Sequence, residues 1–159
     1  WAVRDVTSSA GYIYPTMWLM DNYEGKSISD LANVTTLDYA GEFMQAAAGQ
    51  IDVIVCYADG RQDYAKQWQE EWGRKDSIWN ELNVIGVTKN IYNDTVSVTM
   101  AKEDIYNKEF IAAMQDSLIE IANTDAGKKI FGIYKHTGYA KAEDSDYDGA
   151  RQALSVIEK

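Results

Sequence analysis

The sequence lacks any cluster of basic residues, and acidic residues dominate its charge. Its 159 residues include 15 Lys and Arg against 25 Asp and Glu, which gives a formal net charge of −10 at pH 7. Nucleic-acid binding needs a basic face that releases counterions from the phosphates, and anionic membrane surfaces attract basic segments. We therefore expect no nucleic-acid partner. A small anionic ligand is compatible with this charge if local dipoles hold it.

Cysteine, proline and long apolar runs are also scarce. The single cysteine, Cys56, cannot form an intramolecular disulfide or a Cys-based zinc cluster. One proline and 11 glycines leave no low-complexity linker. The apolar run over residues 51–57 is too short to span a bilayer. Because metal-ligand spacings, glycine-rich phosphate loops and Ser-His-Asp arrangements are missing, we expect no metal and no cofactor.

The remaining pattern is that of a globular chain, with 46% hydrophobic residues. Alternating apolar segments predict strands over residues 1–4, 33–37, 51–57, 83–88 and 95–100. Segments of helical periodicity predict helices over residues 12–22, 39–48, 62–72, 104–122, 126–135 and 146–158. This order is typical of an α/β fold: a layered, mostly parallel sheet flanked by helices, with a C-terminal helical segment.

Three polar turns follow three of the predicted strands, at residues 7–11, 57–60 and 93–94. Ligands of open α/β sheets bind at the carboxyl ends of the strands, so the three turns can surround one small ligand. The first turn leads directly into a helix, and its candidate binding residues are Thr7, Ser8, Ser9 and Gly11.

The chemistry of this first turn suits a tetrahedral oxyanion. A helix N-terminus presents unpaired N–H groups and the positive end of the helix dipole. Serine and threonine hydroxyls add donors, and small residues let an anion approach the backbone. The alternative is helix capping, in which one serine caps the helix and the other hydroxyls are solvated.

Asp59 and Asp94 stand in the other two turns, and Tyr57 flanks the first of these acids. A carboxylate can accept a hydrogen bond from a protonated phosphate oxygen or pair with an ammonium group on a ligand. Tyr57 is a candidate wall of the same site. The alternative is that both aspartates only form turns and that Tyr57 is a half-buried residue at a strand end.

Catalysis has little support in the sequence. Cys56 and His136 could pair as nucleophile and base. However, Cys56 lies in an apolar segment, where a thiol is usually inert, and His136 lies in a polar turn that favours a structural role. The spacing of Trp68, Trp72 and Trp79 favours core packing over an aromatic binding box. We therefore expect a binding protein rather than an enzyme.

Several segments have the order and spacing of a known family. Ser8-Ser9-Ala10-Gly11-Tyr12-Ile13-Tyr14-Pro15 is similar to a Ser-Thr-Ser-Gly-Tyr-x-x-Pro motif. Residues 49–53 with 58–60, and residues 91–96, are similar to the ligand turn of a second lobe and to the crossing back to a first lobe. The tail matches at residues 123–128, 136–139 and 144–151. The chain thus resembles the phosphonate- and phosphate-type solute-binding proteins of ABC importers, which are type 2 periplasmic binding proteins.

The resemblance implies a fold of two α/β lobes that close on an oxyanion. Residues 1–95 would be the second ligand-binding lobe. Residues 96–159 would be a C-terminal segment that returns to the first lobe, whose N-terminal part is absent from this chain. Two departures from the family affect the contacts: Ala10 stands where a third serine is frequent, and Asp38 lies where some members have a histidine.

The resemblance also implies roles for four of the candidate residues. Ser8 and Ser9 match the family's anion-binding hydroxyls. Asp59 and Asp94 match acidic positions that face the amine in binders of aminoalkylphosphonates.

The implied function is capture of phosphonate or phosphate, without chemistry, and delivery to an ABC permease in the membrane. Such a protein is extracytoplasmic, in the periplasm or at the cell surface, with a lipid anchor on the full-length protein as one arrangement. Two alternatives remain: a ligand-sensing domain of a signalling protein, or an enzyme on the same scaffold. A lone lobe would also leave apolar helix faces uncovered, so self-association is expected through Ile111, Met114, Leu118 and Ile121.

Overall fold

The computed structural model describes residues 1–92, 95–102, 104–134 and 136–157. The chain forms two compact units: Trp1–Ile91 together with Asp148–Lys159, and Tyr92–Tyr147. The assignment of residues 1–95 and 96–159 to two different lobes stays a prediction. No helix in the described part of the chain combines the length and apolar character that crossing a membrane requires.

A small parallel sheet organises the first unit. Strand β1 (Ala2–Val3) pairs in parallel with β2 (Thr35–Thr36), and Ala2 also forms a parallel bridge to Ile54. The strand β1 therefore lies between its two partners. Ala2 and Val3 are at most 1% exposed, because helices and loops cover both sides of this central strand. The parallel pairing and the surrounding helices confirm the α/β prediction in its coarse form.

The sheet is smaller than the sequence predicts. The strands expected over residues 83–88 and 95–100 are wrong, because no described residue in these segments pairs in a sheet. The side chains of Val84, Ile85 and Val87 are between 57% and 76% exposed. Residues with high strand propensity form strands where one face of a sheet is buried against neighbouring elements. The side chains of these three residues are exposed instead.

The helices of the first unit follow the predicted pattern closely. A π-helical turn (Ser9–Ile13) leads into α1 (Tyr14–Asn22), and the next two α-helices follow the predicted cap at Asp38 and the predicted turn at Asp59-Gly60. Asp38 accepts a hydrogen bond from Gly41 N at 2.7 Å, which caps α2 as its sequence position predicts. The remaining helices are α2 (Tyr39–Ala47), α3 (Gly60–Glu70), α4 (Ile78–Glu81), α7 (Asp148–Ile157) and a short 3₁₀ helix (Ile28–Asp30).

The second unit is helical throughout its regular structure. It contains α5 (Lys108–Asn123), α6 (Asp125–Phe131) and the short 3₁₀ helices Met100–Lys102, Gly132–Tyr134 and Asp144–Tyr147. On α5, Ile121 is 47% exposed, whereas the other residues of the predicted apolar face are only half-buried. Self-association through that face stays a prediction.

The first unit has its core on both sides of the sheet. One cluster packs Val3, Leu19, Ile28 and Val55, and a second packs Phe43, Ala47, Trp68 and Ile78. Trp68 is 1% exposed and Trp72 packs beside it, which confirms core packing for these two residues. The same prediction is wrong for Trp79, which is 50% exposed because its ring covers the guanidinium of Arg61 instead.

Candidate functional site

The turn after β1 is organised by the carboxylate of Asp5. Its Oδ1 accepts hydrogen bonds from Thr7 N at 3.0 Å and from Thr7 Oγ1 at 2.7 Å. These donors hold the pKa of Asp5 below its usual value. The hydroxyl proton of Thr7 is therefore used inside the turn. A direct contact between Thr7 and a ligand stays a prediction.

Ser8 and Ser9 differ in what their hydroxyls do. Ser8 is the N-cap of the helix, and its Oγ accepts a hydrogen bond from Gly11 N at 3.2 Å. Ser9 is exposed, and neither its hydroxyl nor its backbone N–H has a partner among the described residues. The backbone N–H of Ala10 is open in the same way. The start of the helix thus keeps three donors available beside the cap.

Gly11 has a structural reason to be glycine. A Cβ at this position would overlap the Cβ and Cγ of Arg4, whose side chain passes under the start of the helix. Arg4 N also donates to Gly11 O at 3.0 Å. The sequence predicts Gly11 as a point of close ligand approach, and a ligand contact there stays a prediction. The structure adds a close approach by Arg4.

Arg4 and Tyr39 join the first turn to the next strand ends. One N–H of Arg4 donates to Leu37 O at 2.8 Å, and the guanidinium lies 5.0 Å from the ring centroid of Tyr39. The Tyr39 ring in turn packs edge-on against Tyr57, with 4.9 Å between centroids. The carboxyl ends of β1 and β2 and the segment that bridges at Ile54 therefore meet at one edge.

Neither Arg4 nor Tyr39 was among the residues that the sequence predicts for the site. A signal for both exists in hindsight: each follows a parallel strand at its carboxyl end, within three residues. The sequence reasoning favoured hydroxyls and carboxylates, because an excess of acidic residues suggested a site without arginine.

Tyr57 and Asp59 lie at the same edge. Tyr57 OH donates to Asp63 Oδ2 at 2.7 Å, and partial burial together with this carboxylate raises the pKa of Tyr57. Asp59 is exposed and precedes α3, but its side chain makes no capping hydrogen bond. Roles for Tyr57 and Asp59 in ligand binding stay predictions. Asp94 lies outside the described residues.

A buried carboxyl lies beneath this edge. Glu42 is 0% exposed, and neither of its carboxyl oxygens has a hydrogen-bond partner among the described residues. Burial raises the pKa of Glu42 to about 8, although the positive charge of Arg4 favours its ionised form. Burial, with a contribution from Glu42, also raises the pKa of Cys56 to about 11. The Cys56 thiol is therefore protonated at neutral pH and is a poor nucleophile.

These features define a class of protein. Hydroxyls and open N–H groups gather at the carboxyl edge of a parallel sheet, and the described residues contain no group of three His, Cys, Asp or Glu side chains that could hold a metal. Small polar ligands of open α/β sheets bind at edges of this kind.

The comparison with protein families identifies the chain more closely. The sequence model of the family described as "ABC transporter, phosphonate, periplasmic substrate-binding protein" matches residues 1–147. The chain belongs to this family, which supplies the substrate-binding component of phosphonate ABC transporters. No curated protein and no solved structure matches the chain significantly. The family confirms the resemblance inferred from the sequence and implies an extracytoplasmic location.

Proposed function

We propose that this chain binds a phosphonate or phosphate-like oxyanion at the start of the π-helical turn (Ser9–Ile13) that leads into α1, and presents it, chemically unchanged, to an ABC permease. The observation that carries the proposal is the open helix N-terminus: the backbone N–H groups of Ser9 and Ala10 and the hydroxyl of Ser9 have no partner among the described residues. These donors lie where the helix dipole is positive, so they can hold a tetrahedral oxyanion.

Ser8 supports the same site by holding its shape. Its Oγ accepts from Gly11 N, which fixes the first turn of the helix. A hydroxyl that accepts one hydrogen bond can still donate its own proton. Ser8 can therefore cap the helix and contact the anion at the same time, with Thr7 and Gly11 completing the turn.

Asp59 and Asp94 belong to the proposal as the residues that select the ligand. The Asp59 carboxylate is exposed at the same edge and caps no helix, so it is available to a ligand. It would pair with the ammonium of an aminoalkylphosphonate or accept a proton from a protonated phosphate oxygen. Asp94 is proposed for the same role from the sequence alone. Tyr57 would form the wall beside Asp59.

The proposal includes a two-lobed clamp, with residues 1–95 as the second lobe and residues 96–159 returning to the first. Closure of two lobes buries a ligand and strengthens each hydrogen bond to it. One lobe leaves the outer side of the anion in water. We therefore expect this chain alone to bind methylphosphonate with a dissociation constant on the order of 0.1–1 mM.

Substitutions of the two serines test the site, because Ser8 caps the helix whereas Ser9 does not. Ser9→Ala should weaken methylphosphonate binding by about 1.5–3 kcal/mol, with stability unchanged, because only a donor to the anion is lost. Ser8→Ala should weaken binding and also lower stability by about 1 kcal/mol, because the cap is lost. Nuclear magnetic resonance titration gives the affinities, and urea unfolding gives the stabilities.

Ser29 provides the control for this experiment. It is an exposed serine in the short 3₁₀ helix Ile28–Asp30, so Ser29→Ala should change neither quantity. If Ser9→Ala bound methylphosphonate as tightly as the unmodified chain, the start of the π-helical turn (Ser9–Ile13) would not be the anion site.

A further inference from the structure

Arg4 is built into the same edge as the open helix N-terminus. It directly follows β1, and its backbone N–H donates to Gly11 O at 3.0 Å. Its side chain passes so close to Gly11 that no Cβ fits there. The position of Arg4 is therefore fixed relative to the first turn of the helix by both its backbone and its side chain.

The guanidinium of Arg4 is held in place, but most of its N–H donors have no acceptor among the described residues. One N–H donates to Leu37 O at 2.8 Å, and the guanidinium lies over the ring of Tyr39 at 5.0 Å. A guanidinium has five N–H donors. Among the described residues, Arg4 forms no ion pair and has no second acceptor. A half-buried cation is thus held in one place with most of its donors unused.

The carboxyl groups of Asp5 and Glu42 act electrostatically on Arg4 but form no ion pair with it among the described residues. The Asp5 carboxylate is occupied by the two donors of Thr7. Glu42 lies in the core without a hydrogen-bond partner, and burial favours its neutral form below about pH 8. A guanidinium in such surroundings attracts an external anion, and its planar fork suits two oxygens of one phosphonate group.

We propose that Arg4 contacts the bound anion directly and makes the site prefer a doubly charged tetrahedral ligand over a singly charged one. This inference rests on the proposed function. The helix N-terminus and the serine hydroxyls can hold either charge state. A fixed guanidinium adds an attraction that grows with the charge on the ligand, and esterification of one oxygen removes one of the two negative charges.

The test compares two ligands of similar size. Methylphosphonate can carry two negative charges, whereas its monomethyl ester can carry one. At a pH where methylphosphonate carries two negative charges, Arg4→Gln should weaken methylphosphonate binding roughly 10- to 100-fold and weaken ester binding much less, so that the ratio of the two affinities falls. Arg4→Lys, which keeps the charge but not the fork, should retain part of the ratio and carries the test if Arg4→Gln does not fold.

Arg61 is a matched control for Arg4. It is also half-buried, donates to one carbonyl oxygen, Leu82 O at 3.0 Å, and lies over one aromatic ring, that of Trp79 at 4.5 Å. These partners, Leu82 and Trp79, are not among the residues proposed for the anion site. Arg61→Gln should leave the affinity ratio of the two ligands unchanged.

The outcomes separate the inference from the function on which it rests. An unmodified chain that binds neither anion would overturn the proposed function. A chain that binds methylphosphonate, but whose ratio survives Arg4→Gln, would overturn only the role of Arg4. Equal weakening of both ligands in Arg4→Gln would also overturn it, because a residue that merely shapes the turn affects both ligands alike.

Discussion

Arg74 and Arg4 occupy opposite situations within one compact unit. Arg74 donates twice to Glu81, at 2.6 and 3.0 Å, and once to Ala47 O at 3.2 Å. Glu81 Oε2 also accepts from the indole N–H of Trp68 at 2.7 Å. Arg4 has one carbonyl partner, and the carboxyl group of Glu42 near it is buried without any hydrogen bond among the described residues.

This difference shows which polar groups of the unit have complete hydrogen bonding and which keep unused donors or acceptors. The Arg74–Glu81 pair completes its hydrogen bonds against the core residue Trp68, so its role is explained by stability alone. The buried carboxyl of Glu42 costs stability because it makes no hydrogen bond among the described residues, and it lies beneath the edge where Arg4 and Ser9 keep donors open and a ligand is expected. Substitutions of Glu42, Glu81 and Tyr57 test this contrast between the two regions.

The largest expected effect concerns Glu42 and the dependence of stability on pH. Its pKa is raised from 4.5 to about 8 in the folded chain, so the folded state binds the proton more tightly than the unfolded state. The free energy of unfolding should therefore fall as the pH rises from 4.5 to 8, by about 2–5 kcal/mol, and stay level above that. Glu42→Gln, which cannot ionise, should lose this contribution. Urea unfolding at a series of pH values measures it.

The charged and titratable groups that face Glu42 also enter this experiment. They are Arg4, Asp38, Cys56 and Tyr64. Because the net charge of the chain adds its own dependence on pH, the informative quantity is the difference between the variant and the unmodified chain. Glu71→Gln, at an exposed position on the same unit, should leave the slope unchanged. Equal slopes for Glu42→Gln and the unmodified chain would show that Glu42 is ionised in the fold.

The second effect concerns the closed network. Glu81→Ala leaves the buried indole N–H of Trp68 without its acceptor, which should lower the free energy of unfolding by about 1–3 kcal/mol. Affinity for methylphosphonate should not change, because the hydrogen-bond partners of Glu81, Trp68 and Arg74, are not among the residues proposed for the anion site. Glu70→Ala removes an exposed pair with Lys66 and should have little effect. Weaker methylphosphonate binding in Glu81→Ala would break the contrast between the two regions.

Local sequence signals predicted much of this unit. The hydroxyl-rich turn before α1, the cap at Asp38 and the parallel arrangement all depend on residues close in sequence or on strand order. Arg4 and Glu42 were missed because their roles depend on distant partners. Arg4 contacts Leu37 and Tyr39, more than 30 residues away, and Glu42 is buried next to Phe43 although its charge predicts an exposed position.

The strands predicted over residues 83–88 and 95–100 do not form among the described residues, for a related reason. The β-branched residues around Val84, Ile85 and Val87 have strand propensity, but the described part of the chain offers no neighbouring strand at that position. Propensity is local, whereas pairing needs a partner. The roles of Tyr57, Asp59 and Asp94 at the site cannot be decided by sequence pattern, because turn formers and ligand contacts use the same residue types.

The smallest effect is expected from Tyr57→Phe, and its size is informative. Tyr57 OH already donates its only proton to Asp63 Oδ2 at 2.7 Å, so it has no proton left for an anion. The ring remains in Tyr57→Phe and still packs against Tyr39. Affinity for methylphosphonate should therefore change by less than about twofold, well below the loss expected for Ser9→Ala. Tyr57→Ala, which removes the proposed wall, should weaken binding more than Tyr57→Phe does. A tenfold loss in Tyr57→Phe would mean that the hydroxyl leaves Asp63 when the anion binds. Tyr57 would then belong, with Arg4 and Ser9, to the proposed residues that donate hydrogen bonds to the ligand.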